Sequence, residues 1–433
     1  MKRLVLIFLV LLIAFPSAFA SGQRDGNSET PEASGGTAEA PEKITLTFYR
    51  YSNAAHNLYT LPLLEVFERE NPNIKIESVE VSSGGFEALA TKVLLALAAG
   101  NPPDVCEMGY TLIKTMVESG STVPLDSFIS ADSEFKALNL NTAMMDLGVV
   151  NNKQYLMPLG VSTPAMFINR DLFRKAGLDP DNPPKTWQET EDAAMTLKKA
   201  GYDGVIWSWT TTGNWIFQTM IENAGGRIAN EEATKIYFAD EPGVKTMEYL
   251  YSLVSKGLMP VTDQVIPAFY TGNMGMIILS SFNRVTIPKT ATFDVSMAQV
   301  PTPGPMAPKL PAGGKGYMML AADKKRQQAA WTFIRFLASE TASRIVAENS
   351  GYTPVNQTLV ESLIKENADD PDFILTLEQA ANVVPWYSWP GVNGSKVSSI
   401  LRDIQESILL GEVAPRAGLE RAAAEAKELL GIR

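Results

Sequence analysis

Two hydrophobic rhythms alternate along the N-terminal part of this chain. Ile44, Leu46 and Phe48 alternate with Thr45 and Thr47, a period of two that predicts a strand. A helical run through Leu64 and Phe67 follows and ends at Asn71-Pro72, where proline cannot continue it. Ile74 and Ile76 open a second strand. Phe86, Leu89, Ala90, Val93, Leu94, Leu97 and Ala98 then recur at three- and four-residue spacing. That spacing predicts a helix, with Gly100 at the position just past its end and Pro102 and Pro103 beyond. "DVCEM" from Asp104 reads as a short buried strand. Strand and helix in alternation predict an α/β fold on a parallel sheet, with helices covering both faces.

A second stretch, Met166 to Thr190, carries the strongest local signals: "MFINRDLFRKAGLDPDNPPKTWQET". An apolar strand ends at Asn169. A short helix spans about Asp171 to Ala176 and Gly177 stops it. After a proline-rich turn, Thr186-Trp187-Gln188-Glu189 forms a capping box, in which the Thr186 hydroxyl accepts the Glu189 N–H and the Glu189 carboxylate reaches back.

The chain has 433 residues, too many for one ordinary core, so two lobes are expected. Its start reads as a secretory signal peptide, residues 1–20. Lys2 and Arg3 precede an apolar run from Leu4 to Phe15, and Ala18-Phe19-Ala20 fits cleavage before Ser21. The run is short of the roughly 20 residues a spanning helix needs. Residues 21–42 are small, polar and acidic, the composition of a disordered linker. Cleavage would remove Lys2 and Arg3 of the 37 basic side chains and none of the 48 acidic ones. Such an acidic surface repels nucleic acid and anionic lipid headgroups. Cys106 is the only cysteine, so no internal disulfide forms, and no cysteine follows the leader to carry a lipid anchor. The expected location is periplasmic or secreted.

The Met166–Thr190 stretch resembles the signature of the extracellular solute-binding proteins of carbohydrate-type ABC importers. "GNPPDV" at Gly100–Val105, "NAGGRI" at Asn223–Ile228, "FYTGNMGM" at Phe269–Met276 and "SGYTPVN" at Ser350–Asn356 fit the same family in the same order. Within it, "NRDLFRKAGLDPDNPPKTWQE" and "GYTPV" are most similar to the glycerol-3-phosphate-binding component. The resemblance implies a two-lobed α/β periplasmic-binding-protein fold of the class II type, with the ligand in the cleft between lobes. It places residues 43–161 and 317–365 in the first lobe and residues 162–316 and 366–433 in the second. Crossings are expected near Gly160–Ser162 and Gly313–Tyr317. It also implies hinge closure on the ligand and delivery to the membrane subunits of a permease. No cofactor, no metal and no nucleic-acid partner are expected, and the protein is expected to be a monomer.

A sugar presents hydroxyls at its edge and C–H groups on its faces, so its pocket needs flat aromatic platforms and hydrogen-bonding groups. "VVPWYSWPGVNG", Val383 to Gly394, concentrates Trp386, Tyr387 and Trp389 in a segment that suits neither helix nor strand. Such a loop either plugs a gap against a lobe or lines a ligand, and the resemblance implies the second. The family likeness adds Trp215 and Phe282 as further platforms, Tyr352 as a ligand contact, and Ser162, Ser281 and Gly314 as hydroxyl or backbone donors. Phe86 and Tyr110 fall at the rim of the first lobe, where the glycerol-phosphate relatives show a tyrosine and a glutamate. Those relatives hold their anion partly with an arginine, and Pro390 stands at that position. Residues 366–395 contain no lysine or arginine at all. Burying a phosphate without a paired cation is costly. A neutral mono- or oligosaccharide or polyol is therefore expected. A phosphorylated ligand is the runner-up, with Lys315 or Lys396 as the compensating cation.

Catalysis finds little to work with. His56 is the only histidine, so no histidine cluster or Cys₂His₂ metal site can form. No nucleophile elbow or Walker A sequence occurs. A glycosidase needs only two carboxylates, which a sequence cannot display as a pair, and a chemoreceptor ligand module would share this fold.

Overall fold

The computed structural model describes residues 43–211, 214–391 and 393–432; the expected signal peptide and linker lie outside them. The predicted strand is Ile44–Tyr51, and its Leu46 and Phe48 are fully buried. The first helix is Ala54–Glu70, opened by Asn53, whose side chain accepts the His56 N–H. It ends at Asn71, the residue before Pro72, where the proline disfavours helical dihedrals, and it accommodates Pro62 in its interior. The second helix, Gly85–Ala98, ends two residues before Gly100, which takes the left-handed φ of +73°.

Six strands make the first sheet. From edge to edge they are Thr353–Pro354, Leu156–Ser162, Gly313–Met319, Val105–Gly109, Ile44–Tyr51 and Ile74–Val81. The last three in this order are mutually parallel, as predicted. Gly313–Met319, however, runs antiparallel to both of its neighbours. The sheet is therefore mixed, which corrects the all-parallel expectation. The physical reason is that Gly313–Met319 re-enters from the other lobe and inserts against the direction of the βαβ strands. It pairs from Gly313 onward, so this sheet takes in residues 313–316, which the sequence boundary left in the second lobe.

The second sheet is ordered Val295–Gln299, Pro164–Asn169, Met274–Ser280, Asp203–Trp207. The helix Arg170–Ala176 ends at Gly177 with φ +79°, and Thr186 and Glu189 close the predicted capping box ahead of the helix Trp187–Lys199. Each sheet has its own core. Phe48, Phe67 and Phe333 lie in the first, and Trp207, Phe217, Phe238 and Met247 in the second. Two helices, Gly394–Leu409 and Pro415–Leu430, pack on each other and finish the second lobe.

The lobes are joined where strands change sheet. Leu156–Ser162 belongs to the first sheet and Pro164–Asn169 to the second, with Thr163 between them. Thr163 donates its N–H to the Ser281 hydroxyl oxygen at 3.0 Å and its own hydroxyl to Gln379 Oε1 at 2.7 Å. Leu310–Pro311 pairs with Val383–Val384, and one residue later Gly313 enters the first sheet. The crossings are thus short and bonded to one another, which limits relative motion of the lobes to a few backbone dihedrals.

Candidate functional site

Two glycines at a crossing organise the site. A Cβ on Gly313 would stand 2.7 Å from Trp215 Cζ2 and 2.8 Å from Ser162 Oγ. Gly314 has φ +131°, and a Cβ there would lie 2.6 Å from the Gly160 carbonyl and 3.1 Å from the Tyr110 ring. The approaches to Trp215, Ser162 and the Gly160 carbonyl are closer than a carbon tolerates and that to Tyr110 is tight, so glycine lets the crossing pass this close to them. Ser162, Trp215, Tyr110, Tyr352 and Gly314 therefore meet around one backbone segment.

Around Gly314 the aromatic group continues. Phe282 lies 5.0 Å from Tyr352 and 4.8 Å from His56. Phe86 lies 5.5 Å from Tyr51 and 6.2 Å from His56. The Tyr110 hydroxyl donates to the Gly160 carbonyl at 2.7 Å. Beneath these rings Lys315 Nζ is bonded to Glu107 Oε1, with both side chains fully buried, and it sits 5.0 Å from the Tyr59 ring centre. Burial pushes the Glu107 carboxyl up and the Lys315 ammonium down, and their mutual attraction opposes both shifts. Burial, reinforced by Lys315 and Arg50, holds His56 down at about 2, so its imidazole is neutral.

The second aromatic group lies in the second lobe. Gln218, on the helix Trp215–Asn223, grips the loop twice. Its Nε2 donates to the Pro385 carbonyl at 3.0 Å and its Oε1 accepts the Tyr387 N–H at 3.0 Å. Trp386 is half-buried, 5.7 Å from Trp215. The Trp215 Nε1–H donates to the Pro311 carbonyl at 2.9 Å, and the Tyr387 hydroxyl donates to the Asn230 carbonyl at 3.1 Å. Trp389 is 7% exposed and packs edge-on against Phe238.

One expectation needs correction. Ser281 is fully buried, and its hydroxyl accepts the Thr163 N–H and donates to the Gly351 carbonyl at 3.0 Å. The backbone of the crossings uses up this side chain, so it braces the hinge and offers nothing to a ligand.

A cleft of about 640 Å³ opens beside these groups, and of the expected site residues only Tyr387 and Trp389 line it. One wall is the helix Gly85–Ala98, through Glu87, Ala90, Thr91 and Leu94, with Thr111 and Thr115 next to it. The facing wall is the helix Gly394–Leu409, through Ser395, Ser398, Ser399 and Arg402, with Asn214, Tyr387 and Trp389 beside it. Each helix contributes positions i, i+3, i+4 and i+7, one face of a helix. The Ser388 hydroxyl donates to the Thr111 carbonyl and ties the aromatic loop to the first lobe. Burial raises the Glu87 carboxyl. Arg402 is the only cation among the lining residues, and its Nε and Nη2 are held by Asp403 Oδ1 at 3.1 and 2.9 Å.

Sequence reasoning missed the hydroxyl-bearing walls and His56. The wall residues had a readable signal, since Thr111, Asn214 and Ser388 each follow or precede a predicted site residue by one. The helix faces were also readable, as small polar residues at helical spacing where large apolar ones would close the cleft. That the two faces oppose each other is a tertiary fact.

Two sheets with separate cores, short crossings and a cleft between the lobes define a two-lobed solute-binding protein of the class II type. The bacterial extracellular solute-binding protein family model matches residues 52–343, and the chain belongs to that family. Its members bind a solute for an ABC importer and are not enzymes. The chain is 25% identical over 414 residues to the sn-glycerol-3-phosphate-binding periplasmic protein UgpB of Escherichia coli, covering 91% of this chain and 94% of that one. Among solved structures, an ABC substrate-binding protein of Listeria monocytogenes in complex with cycloalternan matches with a TM-score of 0.78 at 22% identity, over 90% of this chain and 100% of that one. UgpB of Mycobacterium tuberculosis in complex with glycerophosphocholine matches with a TM-score of 0.78 at 21% identity, over 90% and 99%. Among the described residues no helix is long and apolar enough to cross a membrane.

Proposed function

We propose that this solute-binding protein captures a neutral carbohydrate, a mono- or oligosaccharide or a polyol, and hands it to its permease as a monomer. The ligand lies between Trp386 and Trp215 on one side and Phe86, Phe282 and Tyr352 on the other, with Ser162, Tyr110 and Gly314 beneath it. Tyr387 and Trp389 border the outer cleft.

The observation that carries this reading is the state of the cations. Lys315, 5.0 Å from the Tyr59 ring centre and 6.0 Å from that of Phe86, is committed to Glu107 and has no exposed surface. Lys396 is exposed on the first turn of the helix Gly394–Leu409 and is not among the cleft-lining residues. Arg402 is engaged by Asp403. A buried phosphate needs a paired cation or a set of free backbone N–H groups; Lys315 is committed, Lys396 is off the cleft lining, and Arg402, half exposed, is shared with the adjacent Asp403. Hydroxyl groups from Thr and Ser along both walls suit a ligand rich in hydroxyls. The adjoining outer cleft, which Tyr387 and Trp389 border and the other rings do not line, has a volume within the usual range for small-molecule sites.

A thermal-shift screen of the dialysed protein tests this, using maltose, maltotriose, D-tagatose, glycerol 3-phosphate and glycerophosphocholine. A ligand at a hundredfold over its dissociation constant adds about 2.7 kcal/mol, a shift of several degrees. The expected result is a shift with a neutral sugar and none with the phosphates. A shift with glycerol 3-phosphate or glycerophosphocholine alone overturns the neutral-ligand reading.

A further inference from the structure

Two rings in the aromatic group carry buried polar atoms without a partner, the Tyr59 hydroxyl and the His56 Nε2, and His56 is the one whose ring lies beside both Phe86 and Phe282. It sits in the first turn of the helix Ala54–Glu70 and is 6% exposed. Asn53 Oδ1 accepts the His56 backbone N–H at 2.9 Å, which fixes that atom as the amide oxygen. The imidazole Nδ1 lies 2.9 Å from the same oxygen, so Nδ1 carries the proton and donates. Nε2 is then left with a bare lone pair, and it is buried without a partner. Buried acceptors are seldom left unmet unless something absent from the structure meets them.

The surroundings say what that would be. The His56 ring lies 4.8 Å from Phe282 and 6.2 Å from Phe86, two of the platforms assigned above to the ligand. Phe282 lies two residues past the second sheet's Met274–Ser280 and packs, like Phe86, against the first lobe's core, so the His56 ring stands beside a segment that crosses between the lobes. Tyr51 and Tyr59 flank it at 5.1 and 6.0 Å. The charged groups acting on it are Lys315 and Arg50, paired with Glu107 and Glu80 respectively. Both cations oppose a proton on the imidazole.

We propose that His56 Nε2 accepts a hydrogen bond from one hydroxyl of the bound carbohydrate, and that it sets specificity by demanding a donor at that position between Phe86 and Phe282. This inference rests on the carbohydrate reading of the site. It assigns to His56 a direct contact with ligand. A site built to accept from a ligand hydroxyl discriminates strongly against the analogue lacking it, because the acceptor then stays unpaired in the closed form.

His56 is the only histidine in the chain, so isotope-labelled histidine gives a single imidazole to observe by nitrogen NMR. The full protein is titrated with whichever of maltose, maltotriose and D-tagatose raises its melting temperature. The Nε2 resonance is expected to move upfield as the lone pair accepts a proton donor. His56→Phe, which keeps a ring in the cluster, is expected to weaken that sugar about tenfold or more. Singly deoxygenated forms of the same sugar are expected to include one that binds the wild type as weakly as the variant binds the parent sugar. If a sugar binds and neither the Nε2 resonance nor the affinity of His56→Phe changes, this inference is overturned and the carbohydrate reading stands. If none of the three sugars stabilises the wild type, the carbohydrate reading falls and this inference falls with it.

Discussion

The two aromatic groups use their polar atoms in opposite ways. In the second lobe, Trp215 donates to Pro311 and Tyr387 donates to Asn230, so both rings are fixed to backbone carbonyls; Trp215 is core, and the half-buried Trp386 and Tyr387 are left with faces to offer. In the group around Gly314, the His56 Nε2 and Glu107 Oε2 are buried without partners, above and beside a fully buried ion pair. The first arrangement suits stacking, which tolerates many sugars because every ring presents C–H faces. The second suits discrimination, because an unmet buried acceptor penalises the wrong ligand. One cleft therefore joins a platform that holds with a nest that reads.

That contrast is open to being broken. The largest effect is expected from Lys315→Met, which leaves Glu107 buried and unpaired. Removing one partner of a buried pair costs about 3–5 kcal/mol, and urea unfolding at neutral pH checks it. A loss below about 1 kcal/mol would mean that water reaches Glu107 and that the nest is not dry.

Next in size is an acid effect in the same nest. The His56 pKa is lowered from 6.5 to about 2, chiefly by burial. A depressed pKa gives stability that is present above pH 6.5 and lost as the pH falls below it, because the unfolded chain takes up the proton first. The slope approaches about 1.4 kcal/mol per pH unit for one group. Asp372 works against it, since burial raises its pKa from 3.8 to about 6. Its contribution is full below 3.8 and is lost as the pH rises through about 6, so the two slopes oppose each other between roughly 4 and 6. His56→Phe should leave the opposing slope visible in that window, with stability falling as the pH rises. Chemical denaturation at several pH values measures this, and an unchanged profile would mean that His56 is not held neutral.

The smallest effect on stability is expected in the other group, at Trp386. This ring is half-buried, so Trp386→Ala should cost the fold well under the 3–5 kcal/mol typical of a buried tryptophan. It should still weaken sugar binding about tenfold, through the loss of a stacking face. Trp215→Ala and Trp389→Ala are poorer probes than their sequence positions suggest. Both rings are core residues, 2% and 7% exposed, and their removal is expected to damage the lobe as well as the site.

Local chemistry made much of this protein legible from its residues. The Asn71-Pro72 step favours a helix end there, although the same helix carries Pro62 in its interior, and the Thr186–Glu189 capping box closes within one turn. The alternation at Ile44–Phe48 and the helical spacing at Phe86–Ala98 likewise follow from which side chains must face one core. Trp386, Tyr387 and Trp389 stood out by density, whereas Gly314 was marked only by the family resemblance. None of these needed knowledge of a distant segment.

Tertiary structure alone decided the rest, because it depended on what meets what across hundreds of residues. The direction of Gly313–Met319 followed from its entry out of the other lobe, and that made the first sheet mixed. Lys315 read from sequence as a possible anion partner, and only its contact with Glu107, 208 positions away, removed it from that role. Ser281 read as a ligand donor, and only the approach of Thr163 and Gly351 showed its hydroxyl already spent. His56 read as an isolated histidine until folding placed it among rings beside a lobe crossing with one nitrogen unmet. Sequence fixes periodicity, caps and turns because those energies are local. Whether a polar group is free or satisfied is a property of its partners, and the fold alone chooses them.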